Sequence, residues 1–159
     1  MIDFFHQLVA QIPPDKVASA LHSLYNNPFS VAARNVIAIA QKFEIELSES
    51  VNLSGRALIG QDLTKLKNLA TANLSRADLS RTFAEGVDLS GANLAGANLV
   101  AANFRRADLS NANLSSCDLS QTKLDGANLA GCTIDSATLH ETSAMGADFS
   151  NVDLSSGNL

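Results

Sequence analysis

The stretch Ala92-Asn93-Leu94-Ala95-Gly96-Ala97-Asn98-Leu99-Val100-Ala101-Ala102-Asn103-Phe104-Arg105-Arg106-Ala107-Asp108-Leu109-Ser110-Asn111 repeats itself every five residues. Each unit places a small residue, a short polar one and a large apolar one in a row, followed by two more residues. Side chains that run inward, outward, inward describe extended backbone, because successive strand residues point to opposite faces. The other two residues must turn a corner. A helix of 3.6 residues per turn cannot keep a five-residue period on one face, and a hairpin meander needs longer strands between its turns. A coil of very short parallel strands satisfies both facts.

Outward from this stretch the register persists. Leu, Phe or Ile stands at every fifth position from Leu69 to Leu159, except at Ala84 and Ala144. Two residues earlier lies a small side chain, as at Ala72, Ala77, Ala92, Ala112, Cys117, Ala127, Cys132, Ala137 and Ala147. Small residues let neighbouring walls approach, while each Leu fills the axis and contributes about 1.5–3 kcal/mol when fully buried. Asn, Asp and Ser near the corners have local backbone groups to bond. The Thr residues of the small column, Thr82, Thr122 and Thr142, are separated by multiples of 20, as are the corner glycines Gly86, Gly126 and Gly146. A coil of four faces is therefore expected, with about five coils stacked at ~4.8 Å into a rod of roughly 25 Å.

Near its start the repeat is imperfect. Arg56 and Gln61 occupy positions that are small elsewhere, and Leu63 to Leu69 spans one residue too many. A bulge around Thr64 to Asn68 is expected to absorb the extra residue. Residues 1–47 read differently. Phe4, Phe5, Leu8, Val9 and Ile12 recur at helical spacing before Pro13-Pro14, Asp15 starts a second run through Val17, Leu21, Leu24 and Tyr25, and Ser30 a third through Val31, Val36, Ile37 and Phe43. The chain thus divides into a short α-helical N-terminal cap, 1–47, and a repeat domain, 48–159. The helices are expected to cover the open edge and apolar end of the coil. Their alternative role is a recognition module.

Composition agrees with one continuous core. The 159 residues are 46% hydrophobic but only 5% aromatic, with no Trp, so the interior must be built from Leu, Ala, Val and Ile. A net charge of −5 argues against direct binding to a phosphate backbone and is modest for an acidic imitation of one. The first residues lack the basic region of a signal peptide, and no apolar run approaches a membrane span, so no membrane contact and a cytoplasmic location are expected. Two cysteines do not make a disulfide framework, and no spacing suggests zinc.

Units such as Ala72-Asn73-Leu74-Ser75-Arg76, Ala77-Asp78-Leu79-Ser80-Arg81 and Ala127-Asn128-Leu129-Ala130-Gly131 resemble the A(D/N)LXX pattern of the pentapeptide-repeat family. The resemblance covers about two thirds of the chain. It implies an all-β solenoid, a right-handed quadrilateral parallel β-helix, of a kind abundant in bacteria and above all in cyanobacteria. Some members of that family imitate duplex DNA and bind DNA gyrase, and others are regulatory interaction partners.

Catalytic chemistry has little to work with. His6, His22 and His140 are scattered, no nucleophile converges with a base and an orienting group, and repeat walls are flat. No enzyme activity, cofactor or metal is expected; the Asp and Asn residues, one per unit, read as turn formers. Cys117 and Cys132 belong to the inward column, as free thiols or as an interior disulfide. One face differs from the rest. Its outward centres are Phe83, Asn103, Lys123 and Ser143, and Glu85, Arg105, Asp125 and Met145 follow along its edge beside Arg106. Either this is a variable wall with weak surface charges, or it is a partner site formed by Phe83, Glu85, Arg105, Arg106, Lys123 and Met145. The expected function is a non-catalytic scaffold that binds another protein, with a DNA-mimic protein acting on an enzyme such as gyrase as the alternative. A weak homodimer through the C-terminal coil is also expected.

Overall fold

A computed structural model describes residues 52–64, 66 and 69–155. The predicted helices of residues 1–47 lie outside the described residues. Each five-residue unit is one side of a coil. The carbonyl of the large apolar residue accepts the N–H three positions on, as in Arg56 to Leu53 at 3.1 Å and Ala77 to Leu74 at 3.0 Å. The residue just before that N–H has a left-handed backbone, φ 57° at Ala101 and 68° at Gly96. A positive φ at this position is the mark of a type II turn. The preceding Asn or Asp closes the corner from outside, Asp78 Oδ1 accepting from Ser80 N at 3.0 Å and Asn98 Oδ1 from Val100 N at 3.1 Å. The short polar residue of the repeat is thus a turn cap.

The outward centres pair in parallel along four ladders, one per wall. The first joins Asn52, Asn73, Asn93, Asn113 and Thr133, and the second Ala57, Asp78, Asn98, Asp118 and Thr138. The third runs through Asp62, Phe83, Asn103, Lys123 and Ser143, and the fourth through Asp88, Asp108, Asn128 and Asp148. Within each wall the backbone bonds both neighbours: Leu99 N donates to Asp118 O at 2.8 Å, and Asn98 N to Ala77 O at 2.9 Å. The four-sided coil read from the Thr spacing is the observed one.

The register also locates the irregularity. Asn52 pairs with Asn73, Ala57 with Asp78 and Asp62 with Phe83, a step of 21, whereas Asn73 pairs with Asn93 and all later steps are 20. The turn from Leu63 to Leu66 closes normally, Leu66 N to Leu63 O at 3.0 Å. The extra residue therefore enters between Asp62 and Asn73, where Leu66 and Leu69 are both buried, and Lys65, Lys67 and Asn68 of the expected bulge lie outside the described residues.

The axis is filled by Leu53, Leu58, Leu63, Leu69 and their successors, with Phe104 the largest buried side chain. Ala, Cys and Thr line the inner walls. A buried hydroxyl needs a partner, and each Thr has one: Thr122 Oγ1 donates to Leu99 O at 2.8 Å, Thr142 Oγ1 to Leu119 O at 2.8 Å and Thr82 Oγ1 to Leu79 O at 2.7 Å. Cys117 Sγ repeats the arrangement on the next wall, 3.0 Å from Leu94 O. Cys117 and Cys132 are both buried free thiols, the first of the two states the sequence allowed.

Candidate functional site

The third wall breaks the rule that caps the others. Phe83, Lys123 and Ser143 stand where Asn or Asp usually accepts the turn N–H. Phe83 is 57% exposed and Lys123 is exposed above it. Along the adjoining edge, Met145 is 80% exposed, the highest value among the exposed large apolar side chains of the described residues.

Asp125 supplies the missing cap from one coil away. Its Oδ1 accepts from Met145 N at 3.1 Å and from the Ser143 hydroxyl, while Oδ2 accepts from Arg105 Nε at 2.9 Å. One carboxylate thereby ties together three successive coils. Hydrogen bonding from Ser143 foremost, then Arg105 and the Met145 N–H, holds its pKa at about 2. Arg105 is consequently a committed cation.

Arg106 is not. Among the described residues it has no ion pair, and its stem lies along the corner column Gly86, Arg106, Gly126, Gly146. A Cβ on Gly126 would sit 3.6 Å from Arg106 Cγ. Bare corners on both sides of one Arg leave a surface depression of about 590 Å³, lined by Glu85, Arg105, Arg106, Asp125, Ser143 and Met145.

Of the residues expected to form the site, Glu85, Arg105, Arg106 and Met145 come together in this depression. Phe83 and Lys123 share the wall but do not line it. Asp125 and Ser143 were absent from that set. The signal for them was present: Ser143 is a poor turn cap, so the Met145 N–H needs an acceptor, and Asp125 precedes it on the same edge. His140 stands apart, exposed and 3.5 Å from Glu141. Among the described residues no group of His, Cys, Asp and Glu is placed to hold a metal ion, and no helix is long and apolar enough to cross a membrane.

A family model described as pentapeptide repeats matches residues 72–111 and 112–151, as eight copies. Among solved structures, a pentapeptide repeat protein from Nostoc Pcc 7120 is 34% identical over 54% of this chain and 73% of its own, with a TM-score of 0.50. A pentapeptide repeat protein from the cyanobacterium Cyanothece 51142 is 25% identical over 79% of this chain and 98% of its own, TM-score 0.47. One from the Arabidopsis thaliana thylakoid lumen is 27% identical over 67% and 70%, TM-score 0.39. No curated protein matches the chain.

Proposed function

Because this chain belongs to the pentapeptide-repeat family and is a right-handed quadrilateral β-helix, we propose that it is a non-catalytic scaffold whose third wall binds another protein. The observation that carries this reading is the wall itself: an exposed Phe83 and Met145 flank the cations Arg105 and Arg106, where the other walls present mostly Asn and Asp turn caps. Aromatic side chains beside Arg are the usual anchors of protein interfaces. Residues 1–47 are then an α-helical cap, residues 48–159 carry about five coils, and the protein works in the cytoplasm.

The test is capture of the partner from the native host with tagged protein. Phe83→Ala and the double change Arg105→Ala with Arg106→Ala should abolish capture while leaving the thermal midpoint close to wild type. Retained capture by both, with loss on altering residues 1–47, would move the site to the cap.

The alternative is imitation of duplex DNA. In its favour stands the fourth wall, where Asp88, Asp108 and Asp148 recur along one ladder. Against it, Asn128 interrupts that column, and residues 48–159 contain 12 acidic and 8 basic residues, a net charge of only −4. Inhibition of supercoiling by purified gyrase would favour the mimic.

A further inference from the structure

The depression beside Gly126 also constrains the chemistry of its occupant. Three of its features bear on the choice. The guanidinium of Arg106 is uncommitted among the described residues, whereas Arg105 is held by Asp125 at 2.9 Å. Exposed apolar side chains lie before and after it along the axis, Phe83 on the wall and Met145 on the edge. Two carboxylates, Glu85 and Asp125, share the lining. An anion must therefore complement Arg106, but one of low charge: a dianionic phosphate would meet repulsion from both neighbours, while a single carboxylate gains a bidentate pair at half that penalty. From the coil of Phe83 to that of Met145 is three steps, about 14 Å along the axis at ~4.8 Å per coil, within the span of about five extended residues.

We propose that this depression takes an Asp or Glu side chain from an otherwise apolar partner segment lying along the solenoid axis, with Arg106 as its anchor and Phe83 and Met145 as its apolar seats. The proposal rests on the third wall being the partner site. It goes further in fixing the sign, valence and direction of what binds.

The experiment is selection of a displayed library of random twelve-residue peptides on the full-length protein, followed by binding measurements on the resynthesised peptides. The expected consensus has one acidic residue flanked by apolar ones. Replacing that residue by Gln, or Arg106 by Gln, weakens binding about tenfold or more, and Arg76→Ala, at the corner between the first and second walls, does not. Selection on Arg106→Glu should turn the preference toward Lys and Arg, a readout that a merely unfolded variant cannot give. The inference is overturned by a basic consensus on the wild type, by no enrichment, by binding that survives Arg106→Gln, or by tighter binding when phosphoserine replaces the acidic residue. Host-partner capture separates the two levels. Loss with Phe83→Ala but not with Arg106→Gln removes only the carboxylate, whereas capture indifferent to both removes the wall.

Discussion

Arg105 and Asp125 meet across one coil step, Nε to Oδ2 at 2.9 Å, and the same carboxylate caps the turn of the next coil through Met145 N at 3.1 Å. An ion pair on an exposed edge is ordinarily weak. Here it is coupled to backbone closure, which makes it sensitive to acid. Asp125 is held at about 2 against an ordinary 3.8, chiefly by the Ser143 hydroxyl. A depressed carboxylate contributes stability that is complete above its unfolded value and disappears as pH falls through its folded one. Wild type and Asp125→Asn should therefore differ in thermal midpoint by a constant amount above about pH 5, and the difference should shrink between pH 4 and 2. Asp148 and Asp153 are also lowered, by Ser150 and Ser155, so the comparison with the variant is what isolates Asp125. A difference that does not change over that range would remove the coupling.

The inside and outside of the coil predict unequal mutants. Leu99 is 1% exposed in a core whose polar groups are already satisfied, so Leu99→Asp should destabilise by about 4 kcal/mol or more. Asn98 points out and accepts from Val100 N at 3.1 Å, a bond that an aspartate keeps. Asn98→Asp should stay within about 0.5 kcal/mol. Denaturant midpoints decide this, and equal values for the two would contradict the assignment.

Much of this was legible because a strict period leaves few physical solutions. Leu74, Leu79 and Leu89 declare the axis, and Thr122 with Thr142, 20 residues apart, declares the number of sides, since a side chain of unusual chemistry recurs only when the coil returns to the same wall. Less legible were features set by neighbours one coil away. Thr122 reads as a small inward residue, yet its hydroxyl bonds Leu99 O, 23 residues earlier. Asp125 reads as one charge in an alternating ladder, and only the stacking of Ser143 above it shows a three-way acceptor. The corners were legible as turns, but not their left-handed backbone, because residues with side chains, Arg, Asn and Ser among them, occupy it more often than Gly does.

That backbone gives substitutions of opposite sign. Gly86 has φ 68° with open space where a Cβ would go, so Gly86→Ala measures the backbone cost alone, about 1 kcal/mol. Ala101 already bears that cost at φ 57°. Ala101→Gly should be neutral to stabilising by up to about 1 kcal/mol, the gain being limited by the greater entropy of glycine in the unfolded chain. Chemical denaturation of both checks the prediction; destabilisation by Ala101→Gly comparable to that of Gly86→Ala would contradict it.

The two thiols report on the interior from the opposite direction of titration. Burial raises Cys117 to about 12 and Cys132 to about 11, from an ordinary 9.0. The reactive species is the thiolate. Both should therefore resist a thiol-specific disulfide reagent at pH 8 in the folded protein and react at once in denaturant. A thiol whose folded pKa is raised stabilises fully below the unfolded value, and that contribution is lost as pH climbs from about 9 toward 11 and 12. The sites nevertheless differ. Cys117 sits 3.0 Å from Leu94 O, in the geometry that Thr122 adopts toward Leu99 O, so the hydroxyl of Cys117→Ser inherits an acceptor. The Cys132 thiol has no corresponding bond among the described residues, so Cys132→Ser buries a hydroxyl unpaired, at about 1–3 kcal/mol. Cys117→Ser should therefore be the milder change in a denaturant melt. The reverse order would show that the threonine-like bond at Cys117 does not form.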